Sequence, residues 1–351
     1  MTPLIVIHRT RTFIHCRRFA LLSFLLSAVL TSEGWITQSN RVNHKFKFTI
    51  VVTEDDFTLV RTCGGCTVLL ELRDELSRKG YEVNTHQLRK GNKCRGVDRR
   101  TVVVYPEIVS WTCLGQPLLN VRWILAPVGI NSPANISEGW STGDWVYNYG
   151  SFASGTKIDV PDNNLLVVFN DWWSQKIQEM QETTAVPRAG WCYTERKARS
   201  FHSGAVTFLH PFHAKRLPDS IAEITKTFSE NEYFMSYDPF TMYSLIAPCF
   251  GCIPIIAALD GKDKASWFNL TAWAVYARET ERYLLRDAVA YGSEPREVAR
   301  ARANMPLVQQ ELKRVQHWGK RTVTRFCDDV EAHIAGDIGR VMGRRYVSDF
   351  Y

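Results

Sequence analysis

Three familiar fingerprints are missing from this 351-residue chain: it has no Asp-x-Asp, no Walker loop and no G-x-G-x-x-G. Metal-bridged diphosphate chemistry, P-loop phosphoryl transfer and ordinary dinucleotide binding therefore lose their main signals. Internal repeats and low-complexity tracts are also absent. The two C-x-x-C pairs, Cys63/Cys66 and Cys249/Cys252, lack a second ligand pair at zinc-finger spacing, so structural or free thiols are the better reading than a zinc or redox site. His210 and His213 flank Pro211, which argues for a loop rather than a helical metal-ligand pair. No metal or other cofactor is expected.

Charge is scarce too. The formal net charge is +7, and four basic residues (Arg9, Arg11, Arg17, Arg18) stand in the first eighteen positions with no acid among them. Discounting those four leaves +3, too little to argue for nucleic acid. The apolar run that follows, 19–30 (FALLSFLLSAVL), is shorter than the ~20 residues that comfortably span a bilayer but suits the h-region of a signal sequence. It reads as a secretory signal, cleaved or kept as a type II membrane anchor, or else as an apolar helix docked on the domain. With no crisp small-x-small cleavage site after it, the anchor is preferred. Two sequons, Asn135-Ile136-Ser137 and Asn269-Leu270-Thr271, agree with secretory or Golgi placement, although the pattern is common by chance.

What is present is a folding composition, 45% hydrophobic and 12% aromatic, long enough for two compact domains. After a polar stem (31–43), strands are expected at 46–52 (FKFTIVV), from Tyr81, and at 102–105 (VVVY), with a helix over 68–79 stopped by Gly80. Residues 118–125 read as a helix ended by Ala126 and Pro127, and 129–161 as a long irregular stretch. Strands follow at 165–169 and 191–194, then a helix at 220–228. Residues 232–257 (EYFMSYDPFTMYSLIAPCFGCIPIIA) have the grammar of a βαβ unit, which sets Asp238 and Thr241 at a helix N-terminus suited to phosphate. From Ala274 onward the composition is helical.

Several ordered pieces together resemble nucleotide-sugar glycosyltransferases of the GT-B type, similar to those of surface-polysaccharide clusters. They are Gly64-Gly65 through Gly80-Tyr81, Val104-Tyr105-Pro106-Glu107, Asn120-Val121-Arg122-Trp123, Cys192-Tyr193 with Arg196-Lys197, Tyr237-Asp238 with Thr241 and Gly251-Cys252, and Tyr291-Gly292 through Glu311. The resemblance implies an α/β chain of two Rossmann-like domains facing a cleft: 1–43 a targeting segment and stem, 44–185 the acceptor domain, 186–330 the donor domain and 331–351 a tail. The helices after Ala274 are expected to pack on the donor domain and cross back to the first. The implied activity is sugar transfer, without an essential metal, to a hydroxyl of a glycan or glycoconjugate acceptor.

By residue, the resemblance places Arg196 and Lys197 on the donor diphosphate, against the plainer reading of a solvated basic turn. Asp238 and Thr241 become donor contacts, N-cap residues, or both. Gly64, Gly65 and Trp145 fall on the acceptor side. Trp140, Trp145, Tyr147, Tyr149, Trp172 and Trp173 suit either sugar stacking or burial at a domain interface. Glu107 and His86 are the candidate bases, each weighed against a structural role, and Asp55 and Asp56 suit a solvated turn. The family commonly has a glutamate where this chain has Ile246, which raises a rival reading: a noncatalytic carbohydrate-binding or scaffold protein that kept the fold. A sugar-nucleotide epimerase is disfavoured by the missing glycine fingerprint.

Overall fold

The computed structural model describes residues 46–53, 64–150, 166–168, 188–202 and 209–336. The apolar run 19–30, Asp55, Asp56, Trp172, Trp173 and the expected boundary at 185/186 lie outside them. The described residues fall within one compact unit.

Two five-stranded sheets, parallel throughout, build that unit. The first takes β1 (Lys47–Val52), β2 (Val83–Gln87), β3 (Thr101–Pro106), β4 (Leu119–Ile124) and β5 (Trp145–Asn148) in the order β2-β1-β3-β4-β5. The second takes β6 (Trp191–Thr194), β7 (Lys215–Arg216), β8 (Tyr233–Ser236), β9 (Ile253–Ile256) and β10 (Ala290–Tyr291) in the order β10-β9-β8-β6-β7. Numbered within its own half, each sheet reads 2-1-3-4-5. The two halves thus share one doubly wound topology, each with a switch point between its first and third strands.

Parallel strands bury both faces, which explains the runs FTIVV and VVVY and also one misreading. Residues 118–125 form strand β4, not a helix. Leu119, Val121 and Trp123 enter the core with Phe48, Val104 and Leu72, and all three are at most 5% exposed. On the other face of β4 stand Arg122 and Ile124. The irregular stretch contains β5, and within 165–169 the described Leu166–Val168 makes no ladder, although the Leu166 N–H donates to Asn148 O at 2.9 Å.

The helices are α1 (Gly64–Arg78), α2 (Ala198–Phe201), α3 (Ile221–Glu230), α4 (Tyr243–Ile246), α5 (Lys264–Asn269), α6 (Ala272–Thr280), α7 (Leu284–Asp287), α8 (Pro295–Asn304) and α9 (Val308–Ile334). Helix α9 serves both sheets. Its first turns bury Val308, Leu312, Val315 and Trp318 with α6, and its later turns bury Val323, Phe326, Cys327 and Val330 against β1 and α1. Buried Glu311 on α9 accepts from Tyr276 (2.7 Å), Arg282 (2.8 and 2.9 Å) and Arg314 (2.8 Å). Cys94 and Cys113 form a disulfide and Cys66 is also disulfide-bonded, whereas Cys192, Cys249, Cys252 and Cys327 are free thiols. Among the described residues no helix is long and apolar enough to cross a membrane.

Candidate functional site

In an open parallel sheet the carboxyl ends of the strands, at the switch point, are where ligands bind. Glu107 follows β3 there, and Arg196, Lys197 and Asp238 follow β6 and β8. The two switch points meet. A Cβ placed on Gly64, the first residue of α1, would lie 3.4 Å from Met242 Sδ in the loop after β8, and one on Gly65 would lie 3.7 Å from Leu125 Cδ1. From that same loop Phe240 packs across onto Ile124 of the first half, which Val128, Trp140, Val146 and Tyr149 also cover.

Glu107 is 3% exposed. Burial pushes its carboxyl up from the ordinary range, against hydrogen bonds from the Leu125 N–H (3.1 Å to Oε2) and the Asn131 side chain and against the positive charge of Lys197. Lys197 belongs to the opposite half, so a buried carboxyl on one wall and a cation on the other share one electrostatic environment. Such a pairing in a crevice marks a functional site more often than a plain surface turn does.

Lys197 Nζ stands 3.8 Å from Asp238 Oδ2, and its backbone is left-handed, φ 59°. A non-glycine residue held there stores local strain, which concentrates at ligand clamps and active sites. Arg196 turns elsewhere: its guanidinium pairs with the exposed Asp219 and reaches Tyr243. The expected basic pair is therefore splayed, each cation resting on its own acid.

The βαβ segment needs a correction. α4 has only four residues and starts at Tyr243, so Asp238 and Thr241 lie in the turn before it rather than at a long helix's positive end. Pro239 and the side-chain turns account for this. Asp238 Oδ1 accepts the Phe240 N–H (3.0 Å) and Thr241 Oγ1 accepts the Tyr243 N–H (3.3 Å), so both residues organise the loop. Burial raises the Asp238 carboxyl while Lys197, the Phe240 N–H and Arg196 oppose it. The Pro239 carbonyl receives the Trp267 indole N–H at 2.9 Å.

Two candidates stand apart from this group. Trp145 opens β5 at the amino end of the strand, 8% exposed, with its ring edge-on to His333 at 5.0 Å, so it is a core residue beneath α9 rather than an acceptor platform. Tyr147 is buried on that face as well and donates to Asp329 (3.3 Å). His86 is buried on the edge strand β2 with Nε2 2.7 Å from Gly91 O, edge-on to Trp111, which is a structural placement. His210 stacks on Tyr193 at 3.9 Å and bonds the Tyr237 hydroxyl at 2.9 Å. Ile246 is fully buried with Ile224, Phe228 and Phe234.

Asn131, Phe240 and Asp219 escaped sequence reasoning. Phe240 left one signal, an aromatic residue in an otherwise polar turn, and Asn131 left none. Among the described residues no group of three or more His, Cys, Asp or Glu side chains is placed to hold a metal ion. Comparison with family models, curated proteins and solved structures finds no match to this chain.

Proposed function

We propose that this chain is a glycosyltransferase moving a sugar from a nucleotide-sugar donor to a hydroxyl of a glycan or glycoconjugate, its two sheets forming the halves of a GT-B arrangement. The reading is carried by the approach of the two switch points, which puts Glu107 within the field of Lys197. Sugar transfer needs both groups. The acceptor oxygen bonds to the anomeric carbon and gives its proton to a base. The anomeric C–O bond breaks with its electron pair leaving on the diphosphate, where cations stabilise the charge.

Glu107 is the base in this reading. Its raised carboxyl suits proton transfer near neutrality better than an ordinary glutamate does. Lys197 and Arg196 meet the diphosphate, doing the work that a divalent ion does in other transferases, and the Asp238 turn shapes the donor wall. The Cys94–Cys113 disulfide is a bond that persists in oxidising compartments, and it supports a secretory enzyme held to a membrane by the run 19–30.

A panel of nucleoside diphosphates tested for thermal stabilisation decides the matter, followed by donor turnover with the matching nucleotide sugars. One diphosphate should stabilise the protein above the others, and Lys197→Ala should remove the effect. Ile246, at 0% exposure inside an apolar cluster, offers no carboxylate to a donor ribose and favours the rival reading of a noncatalytic carbohydrate-binding or scaffold protein. No stabilisation by any diphosphate, with no turnover of any nucleotide sugar, would decide for that rival.

A further inference from the structure

We propose that the strap joining β2 to β3 is a docking surface for a linear anionic glycan, one that carries carboxylate or sulfate groups along its length. The proposal rests on charge and topology, not on the transferase reading.

The chain's small net charge conceals where its cations stand. Residues 89–100 (RKGNKCRGVDRR) hold six basic residues, Arg89, Lys90, Lys93, Arg95, Arg99 and Arg100, against one acid, Asp98. No α-helix forms in this crossover, because Gly91 and Gly96 take positive φ (65° and 71°) and break the segment into successive turns. Val97 joins Val51, Val103 and Tyr105 on the sheet face away from α1 and α9, and Leu88 and Cys94 pack against that cluster. The six cations fall at or beside the turns, and all six are exposed.

Five ties lace the strap to the segment before β4. Asn92 O accepts the Leu114 N–H (3.1 Å), Cys94 is disulfide-bonded to Cys113, and Gly115 lies so close to Val97 that a Cβ there would meet Val97 O at 2.2 Å. Arg99 donates to Gln116 Oε1 (3.2 Å), and Thr101 O accepts the Leu118 N–H (2.9 Å). The laced segment, 108–118, contains no charged residue, so the staple brings no counter-charge. Asp98 is shared by Lys47 (3.2 Å) and Arg100 (3.9 Å), and among the described residues Lys90, Lys93 and Arg95 have no ion-pair partner. Lys93 and Arg100 stand at most about 25 Å apart even at full extension, and the turns shorten that. A block of like charge repels itself, yet here covalent and hydrogen-bonded ties hold it in one place, where its field is focused.

Nucleic acid, anionic lipid and anionic glycan all carry the matching charge, and Lys/Arg-rich patches serve heparin-like chains as well as nucleic acid. Single-strand binders interleave their cations with aromatic stacking faces. The strap has no aromatic residue, and Trp111 beside it is engaged edge-on with His86 and Tyr105. Anionic lipid is concentrated in the cytoplasmic leaflet, whereas the Cys94–Cys113 bond that staples this surface persists in oxidising compartments. The polyanion that meets such a surface there is a carboxylated or sulfated glycan.

The test titrates the full chain with labelled oligosaccharides of heparin (sulfate and carboxylate), alginate (carboxylate only) and dextran (neutral), read by fluorescence anisotropy. At least one of the two anionic chains should bind, more weakly as salt rises, and dextran should not. Combining Lys93→Ala, Arg95→Ala, Arg99→Ala and Arg100→Ala should weaken that binding about tenfold or more. Lys93→Ala with Arg95→Ala alone should already weaken it at an unchanged melting temperature, which separates lost contact from lost fold. Combining Arg278→Ala, Lys313→Ala, Lys320→Ala and Arg321→Ala removes the same charge from exposed positions on α6 and α9 and should leave most of the affinity. No binding by either anionic glycan, or equal losses in the two fourfold variants, would overturn the proposal. So would tighter binding of duplex RNA or of phosphatidylserine vesicles at the same salt. Glycan binding without any nucleoside diphosphate effect would leave this surface standing and sink the transferase.

Discussion

The indole N–H of Trp267 donates to the carbonyl of Pro239 at 2.9 Å, and through that bond a helix of the second half holds the turn that carries Asp238. Trp267 is 4% exposed, so the carbonyl has no ready replacement partner. Trp267→Phe keeps most of the apolar contact and removes the donor. It should lower stability by about 1–3 kcal/mol in urea titration, with nucleoside diphosphate affinity falling alongside, since the turn loses its anchor. Unchanged stability would show that the bond is not made in solution.

Glu107 predicts a conflict between stability and activity. Burial raises its folded-state pKa above the unfolded value, so the unfolded chain gives up this proton first. Stability therefore declines as pH rises from the unfolded value of about 4.3 through the folded value. Glu107→Gln keeps an acceptor for the Leu125 N–H and removes the charge. The variant should melt higher than the parent at pH 7 and lose transfer. A lower melting temperature at pH 7 would contradict the stated burial cost.

Lys197 tests backbone strain separately from charge. In the left-handed region a side chain costs roughly 1–2 kcal/mol that glycine does not pay, offset in part by the looser unfolded chain that glycine creates. Lys197→Gly should therefore match or exceed the parent in stability, while Lys197→Ala should not. Both should lose stabilisation by nucleoside diphosphate. Retention of that stabilisation in either variant would remove Lys197 from the donor site.

Glu311 gives the opposite pH dependence. Burial alone would raise its carboxyl, but the hydrogen bonds from Arg282, Tyr276 and Arg314 outweigh that and lower it. A depressed folded-state value contributes stability above the unfolded value of about 4.3, and that contribution is lost as pH falls through the folded value. Glu311→Gln should flatten the acid limb of the stability curve and lower stability at neutral pH, because Tyr276 and two half-exposed arginines lose a charged partner. A parallel acid limb in both proteins would refute this.

Strands such as β1, β3 and β9 were legible because apolar, mostly β-branched runs announce sheets that bury both faces. β4 was not, since Leu118, Leu119, Val121 and Leu125 also satisfy a helical spacing and Arg122 hides as a core residue only through its pairing with Asp144. The candidate site was legible as pieces. Arg196, Lys197, Asp238 and Glu107 each stood at a strand end, but that the charge of Lys197 reaches Glu107 is a tertiary fact with no local signature. Trp145 was misplaced for the same reason: what covers it is α9, nearly two hundred residues later in the chain.

Helix α9 also sets an order of events during synthesis. The first sheet leaves the ribosome early, yet Phe48 and Leu72 share their cluster with Phe326 and Val330. Until those residues are made, that face of the sheet is covered by α1 and not yet by α9, and exposed apolar surface is the condition under which nascent chains aggregate or recruit chaperones. A chain that ended before residue 320 would carry every strand of both sheets yet lack the turns of α9 that join Phe48 and Leu72, so maturation of the earlier-made half waits on the last helix.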